Sequence, residues 1–240
     1  MARKILTEKE KKKRRKKRIF LVFFLLILLG VGGYFGYRFI DKKLHPPVVE
    51  KKEKDNTKIK DFDYGYMVYD MDSKYYQEEF KKLKEILMAD EVDTKAYAEQ
   101  EAKLFVIDLY TMSTKINKYD IGGNEFFHVD RREMYEKKVM DTLYSSMLDN
   151  TYGDRKQELP EVKNVTTVSV SEIDYTLDTN AKDENDKSKI NDVPGYLVKL
   201  KIEYVKTMGY DTEASVIIIQ ENGGKKWSVV DYKPTLNPKY

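Results

Sequence analysis

The sequence predicts an α+β fold, and three observations support this class. Apolar residues recur every three or four positions between residues 73 and 150, which is the period of an amphipathic helix. After Pro160 the period changes to two, which is typical of strands with one buried face. A set of helices followed by strands joined through hairpins favours helices packed on an antiparallel sheet.

Composition limits the classes of protein that fit. The 240 residues suffice for one ordinary domain and one membrane anchor, and the 12% aromatic content argues against disorder throughout. The chain has no cysteine, which excludes disulfides, thiolate metal sites and cysteine nucleophiles. With two histidines, a multi-histidine metal site is not expected. We therefore expect neither a metal nor a cofactor.

Charge is strongly segregated along the chain. Residues 1–18 contain eleven Lys or Arg against two Glu, a net charge of +9. Residues 61–240 contain 25 basic and 35 acidic side chains, a net charge of −10. Because an acidic domain repels phosphate, we expect no direct nucleic acid binding by residues 61–240.

An uncharged stretch follows the basic tail. Residues 19–37 carry no charged side chain, and a helix of that length spans about 28 Å, close to one bilayer core. A cleaved signal peptide would need a shorter apolar region followed by small residues, whereas bulky aromatics follow here. The pattern predicts an uncleaved signal anchor, with a single transmembrane helix over residues 19–40.

The charge asymmetry then predicts a topology. The positive-inside rule places the basic tail, residues 1–18, in the cytoplasm and the C-terminal domain outside the cell membrane. Residues 41–60 hold a proline pair and dense mixed charge, so we interpret them as a linker before a domain at residues 61–240. The expected partners are the lipid bilayer and other envelope or secretion-channel proteins.

The uncharged stretch contains four glycines, and two of them have the spacing of a helix-contact motif. Gly32 and Gly36 form a G-x-x-x-G pattern, which lets two helices approach closely and would suit a homo-oligomer. The alternative is that glycine is simply common in membrane helices.

Three helices are predicted in the domain. Ser73 is the expected N-cap of a helix that ends near Met88, and Thr94 is the expected cap of the next. Asp130 and Glu133 match a capping box for a third helix that ends near Asn150. The second helix has the strongest apolar stripe, which consists of Ala98, Ala102, Phe105, Leu109, Met112 and Ile116. Before the first helix, the Tyr-rich residues 62–69 either lie along the domain surface or begin that helix.

Four strands are predicted after Pro160. They cover residues 164–177, 196–204, 214–219 and 226–233, and the sequence Glu-Asn-Gly-Gly from Glu221 is a hairpin turn signal. Residues 126–129, Phe-Phe-His-Val, suggest a further short strand. The acidic loop at residues 178–192 lacks the ordered spacing of a calcium-binding loop, so we interpret it as solvated.

This order of elements, closing with a Gly-Gly turn and the sequence KKWSVVDY, resembles the NTF2-like (cystatin-like) family. The resemblance implies an NTF2-like cone of three helices packed on a curved antiparallel sheet. The full layout of basic tail, single span, short stalk and one domain resembles the VirB8-like and TcpC-like subunits of conjugative type IV secretion systems. The Asn-Pro-φ-Gly signature of Gram-negative VirB8-like proteins is absent, since the chain's Asn-Pro is Asn237-Pro238 at its end.

Candidates for chemistry are few. Some NTF2-like proteins are enzymes with an acid or base inside the cone, and Asp108, the nearby Tyr110 and His128 are the pocket candidates. Asp108 lies off the apolar stripe and is expected in solvent, and His128 is expected to be a helix-entry residue. We therefore expect a non-enzymatic assembly subunit of a conjugative secretion system. The alternative is a ligand-binding or accessory domain in cell-envelope or sporulation processes, which a deep polar pocket containing Asp108 or His128 would favour.

Overall fold

The computed structural model describes residues 8–44, 48–59, 62–178, 190–221 and 224–233. Across these ranges the chain is α+β, with four α-helices and two antiparallel sheets. It divides into two compact units, Met1–Val48 and Val49–Tyr240.

The first unit contains one helix, α1, over Glu8–Leu44. Its uncharged stretch occupies the middle of the helix, between a run of lysines and arginines and a charged final turn from Arg38 to Lys43. Among the described residues, no helix combines the length and the apolar character that a membrane crossing requires. The predicted transmembrane helix at residues 19–40, and with it the single-pass signal anchor, is therefore wrong. The predicted sides of the membrane stay untested.

The second unit opens with a two-stranded antiparallel sheet. Strand β1 covers Glu53–Ile59, inside the predicted linker, and β2 covers the Tyr-rich Phe62–Tyr69. The two strands are joined through the side chain of Thr57, which donates to the Tyr66 carbonyl and accepts from the Tyr66 N–H. Alternate residues of β2 are buried, namely Tyr64, Tyr66 and Val68, which explains the tyrosine-rich composition of this strand.

Two helices follow, and both are capped by side chains. Helix α2 covers Lys74–Met88, and the Ser73 hydroxyl accepts from the Tyr76 N–H, so the predicted cap and helix are confirmed. Helix α3 covers Thr94–Tyr110, one residue after an Asp93 cap that replaces the predicted Thr94 cap. The expected stripe extended to Ile116, but the chain leaves the helix after Tyr110 and forms a short 3-10 turn at Met112–Thr114.

The third predicted helix is shorter than expected. Helix α4 covers Val129–Asp141, and its N-cap is His128 rather than Asp130. A 3-10 turn at Asn124–Phe126 precedes it, and Phe127 forms an isolated parallel bridge with Val229 in place of the predicted short strand.

The four predicted C-terminal strands are present. They are β3 (Val162–Asp178), β4 (Ile190–Tyr204), β5 (Glu213–Gln220) and β6 (Trp227–Lys233). They pair in the order β3-β4-β5-β6, antiparallel throughout. The acidic loop residues 179–189 and the turn residues 222–223 lie outside the described residues.

The layered arrangement differs from the predicted cone. Helix α2 packs on α3, α3 contacts all four strands of the larger sheet, and α4 contacts mainly the 3-10 turn at Asn124–Phe126. The hairpin of β1 and β2 forms a second sheet that packs against α2 and this same turn. The predicted NTF2-like cone of three helices on one curved sheet is therefore wrong. The structure has a second sheet, and α4 packs mainly against the 3-10 turn at Asn124–Phe126.

Candidate functional site

A polar cleft of about 460 Å³ lies between the small sheet and the segment that links α3 to α4. We call it the central cleft. Its lining comes from β2, the end of α3 and the loop after it, and the start of α2 with the turn before it. One residue each comes from the segment before β1, from α4 and from the turn before β6. The charged and amide side chains that line it are Lys51, Asp72, Asp108, Lys115, Asp120, Asn124, Glu125, Arg132 and Lys226.

A buried ion pair forms one wall of the cleft. Lys115 is only 2% exposed and its ammonium group donates to Asp108, whose side chain is 17% exposed. Burial alone would lower the pKa of Lys115, but the adjacent Asp108 outweighs this effect and raises it. Lys115 therefore carries a positive charge at neutral pH, and Asp108 is its ion-pair partner.

A glycine pair allows the chain to close over this ion pair. Gly123 has φ +75° and its N–H donates to the second oxygen of Asp108 at 2.6 Å. A Cβ atom on Gly122 would lie 2.1 Å from the Asp108 carbonyl oxygen, so only glycine fits at this point. Two tyrosines complete the closure: Tyr135 of α4 donates to the Gly122 carbonyl, and Tyr144, which follows α4, donates to the Leu109 carbonyl at 2.8 Å.

A second ion pair lies at the rim. Lys51 donates to Asp120 Oδ1 at 2.6 Å, and the Ile116 N–H donates to Asp120 Oδ2 at 2.9 Å. Both partners are partly buried. This pair connects the segment before β1 to the loop after α3, which lies 69 residues further along the chain.

Glu125 occupies a different electrostatic setting. Its carboxyl group accepts from the Met67 N–H at 3.0 Å and from the Tyr76 hydroxyl at 3.0 Å. Burial, with the negative charge of Asp108 as the next cause, raises the pKa of Glu125 to about 8. At neutral pH this carboxyl group is therefore mostly protonated.

Asp72 is the second carboxyl group without a lysine partner. It is 8% exposed, and its Oδ2 accepts from the Tyr69 N–H at 2.7 Å. Burial, followed by repulsion from Asp108, raises its pKa. The charge of Asp108 therefore contributes to the raised pKa of both Asp72 and Glu125.

Two buried polar atoms of the lining have no hydrogen-bond partner. They are Asn124 Oδ1, an acceptor, and Arg132 Nε, a donor. Each of these side chains has one hydrogen bond through another atom: Asn124 Nδ2 donates to Glu136 at 2.7 Å, and Arg132 Nη2 donates to the Phe127 carbonyl at 3.1 Å. Buried polar atoms in proteins are normally satisfied, so these two mark places for ligand or water contacts.

The pocket candidates from the sequence separate in the structure. Asp108 lines the central cleft rather than facing solvent. Tyr110 is buried at the end of α3, where its ring packs 6.4 Å from the Tyr204 ring, and it does not line the described cleft. His128 is buried as the N-cap of α4, since its Nδ1 accepts from the Asp130 N–H at 3.4 Å. Gly32 and Gly36 both lie in α1, and the helix pairing expected of them stays a prediction.

Sequence reasoning missed most of the cleft. Lys115, Asp120 and Glu125 come from the loop between helices, and Asp72 comes from the turn before α2. A partial signal was available, because Gly122-Gly123 is flanked by charged residues in a stretch with neither helical nor strand periodicity. A loop that combines a glycine pair with dense charge is a place where backbone and carboxylates meet closely.

Across the described residues, no group of three or more acidic or histidine side chains is arranged to hold a metal ion. The central cleft is polar and lined by side chains of both charges. No family model, curated protein or solved structure matches the chain.

Proposed function

We propose that the domain Val49–Tyr240 is a binding domain for a small polar molecule in the central cleft. The observation that carries the proposal is the combination of a 460 Å³ cleft with a charged wall, the Asp108–Lys115 pair, that is built into the fold. Burying charges is costly unless they are paired, and stability alone is served equally well by apolar residues. A binding role accounts for charges retained around an open cavity.

Occlusion of the cleft tests this proposal. The full chain is screened by thermal shift against small cations, anions, amino acids and sugars, and each hit is measured again in Met67→Trp, which fills the cleft. Met134→Trp is the matched control, because Met134 is exposed on α4 outside the lining. We expect hits that Met67→Trp abolishes and Met134→Trp retains. Hits that survive in both variants, or no hit from any class, would contradict the proposal.

An assembly role is the second candidate, and one feature favours it. Among the described strands β3 pairs only with β4, so its outer edge is an edge of the sheet. Such an edge is a template for a strand from another chain. Val168, at a register shift in β3, is an exposed apolar residue on this strand. A non-enzymatic subunit of an envelope machine, including a conjugative secretion system, would use such an edge to bind its neighbours.

Substitutions on this strand test the assembly role. Val168→Lys should abolish crosslinking of the full chain to partner proteins in its native cells, because a lysine on an edge strand opposes strand addition. Val205→Lys, at an equally exposed valine beyond β4, is the control and should leave crosslinking unchanged. Equal crosslinking in the two variants would show that the outer edge of β3 does not bind the partner proteins.

A further inference from the structure

We propose that the ligand of the central cleft carries a cationic nitrogen, an ammonium group, that binds between Asp72, Glu125 and Asn124. This inference rests on the binding function proposed above and specifies its ligand class. It follows from which charges of the cleft are already paired and which are not.

Two of the basic side chains are neutralised within the cleft. Lys115 is bound to Asp108, and Lys51 is bound to Asp120 at 2.6 Å. In the same cleft, the carboxyl groups of Asp72 and Glu125 receive only backbone N–H groups and the Tyr76 hydroxyl. These two acids therefore have no cationic partner among the described residues.

The other two basic side chains are engaged elsewhere. The Lys226 ammonium lies 5.0 Å from the centre of the Tyr66 ring, and it acts electrostatically on the buried Glu101. Arg132 binds the Phe127 carbonyl. In the described part of the chain, neither forms an ion pair with an acid of the cleft, so Asp72 and Glu125 are the two lining acids that a cation from outside can pair with.

Hydrogen-bonding capacity at Asn124 and Asp72 points the same way, whereas the unpartnered Arg132 Nε–H requires an acceptor from the same ligand or from water. Asn124 Oδ1 is a buried acceptor without a donor. Asp72 is 8% exposed and lines the cleft, and within the described chain only its Oδ2 accepts a hydrogen bond. An ammonium group brings three N–H donors and no acceptor, which matches this set. The rings of Tyr69 and Tyr76 line the same cleft and offer apolar surface to a carbon chain.

Binding of a cation should release a proton. The groups that face Glu125 are Asp108 from α3, Asp72 from the turn before α2, and Tyr76 and the Met67 N–H from α2 and β2. Glu125 is mostly protonated at pH 7, and a cation beside it stabilises the carboxylate. The ligand therefore competes with the proton, and affinity rises as pH rises toward the pKa of about 8.

Calorimetry on the full chain tests the inference with 1,4-diaminobutane as the probe. The matched probes are 1,4-butanediol and succinate, which have the same carbon chain with neutral or anionic ends, and calcium chloride. We expect the diamine alone to bind, with Kd falling about tenfold from pH 6 to pH 7 and flattening above pH 8, as expected for release of one proton. Buffers of different ionisation enthalpy should report close to one proton released at pH 6.

Variants assign the effect to the proposed residues. Glu125→Gln should remove both the pH dependence and the proton release, and Asp72→Asn should weaken the diamine at least tenfold at every pH. Asp211→Asn, an exposed acid outside the central cleft, is the control and should bind as the wild type does. If Glu125→Gln does not fold, the proton release of the wild type and the affinity of Asp72→Asn for the diamine still test the inference.

The outcomes separate this inference from the function on which it rests. Binding of succinate, butanediol or calcium that Met67→Trp abolishes, without binding of the diamine, overturns the ammonium ligand and leaves the binding function standing. Diamine binding that is independent of pH and of Asp72 also overturns the inference. If the diamine and all compounds of the wider screen fail to bind, both proposals fall.

Discussion

At the scale of single residues, the most unusual group lies outside the central cleft. Glu101 on α3 is fully buried, and neither carboxylate oxygen has a hydrogen-bond partner. Burial raises its pKa well above the usual range, although the charge of Lys226 opposes this. A carboxyl group whose pKa is raised by folding stabilises the fold below its unfolded pKa of about 4.5, and this contribution is lost as pH rises toward the folded pKa.

We therefore expect Glu101→Gln to stabilise the protein at pH 8 relative to wild type, with a smaller difference at pH 5. The gain should grow by about 1.4 kcal/mol for each pH unit above the unfolded pKa, until the pH reaches the folded pKa. Urea unfolding at pH 5, 6, 7 and 8 measures it. Glu99→Gln is the control on the same helix, because Glu99 binds Thr167 and Lys103 and its pKa is lowered. A wild-type stability that does not fall over this range would contradict the assignment.

Gly123 connects a backbone conformation to the shape of the cleft. Its φ is +75°, and a Cβ atom there would lie 2.6 Å from the Phe105 ring. Gly123→Ala should cost more than about 1 kcal/mol of stability and disturb the hydrogen bond to Asp108. Gly209→Ala is a matched control, because its φ is +78° and no atom lies within 4 Å of the added carbon. Chemical denaturation should show a larger loss for Gly123→Ala, since only that variant combines strain with a clash.

At the scale of elements, α3 organises the core. Phe105 is fully buried, and its ring lies 5.2 Å from that of Tyr232 on β6 and 5.8 Å from that of Tyr135 on α4. Phe105→Ala should therefore cost about 3–5 kcal/mol, as expected for a large cavity. Tyr119→Ala, at an exposed aromatic residue, should cost less than about 0.5 kcal/mol. An indifferent Phe105→Ala would show that α3 does not unite the sheet and α4.

Elements with a strong local signal could be predicted from the sequence. The Ser73 cap and the alternation from Tyr196 to Tyr204 fix α2 and β4 through side-chain chemistry and period alone. The strand β1 could not be predicted, because Glu53–Ile59 is polar and is ordered by pairing with β2 rather than by its own apolar pattern. The end of α3 was misplaced for a related reason, since the apolar Met112 continues the stripe but lies in a 3-10 turn.

At the scale of the whole molecule, the central cleft depends on contacts between segments far apart in sequence. Lys51 and Asp120 are 69 residues apart, and Met67 and Glu125 are 58 apart. Composition and spacing report local structure, so they identified Asp108 as a candidate but not Lys115, Glu125 or Asp72 beside it. The same limit explains why the three-helix cone was predicted wrongly: one strand of the second sheet, β1, lies in a segment whose composition resembles a linker.

The boundary of the folded domain follows from these contacts. The compact unit begins at Val49, whose N–H donates to the Thr151 carbonyl at 2.7 Å, and it includes β1 and the Lys51–Asp120 pair. We expect a fragment of residues 49–240 to unfold in one cooperative transition, as small domains with one core do.

A fragment of residues 61–240 lacks β1 and Lys51, so it leaves β2 without its partner strand and Asp120 without its cation. It should be less stable by several kcal/mol and bind cleft ligands more weakly, which calorimetric melting and ligand titration of the two fragments measure. Equal stability of the fragments would mean that β1 contributes nothing to the fold, and two transitions in the longer fragment would mean that the small sheet folds independently of the core.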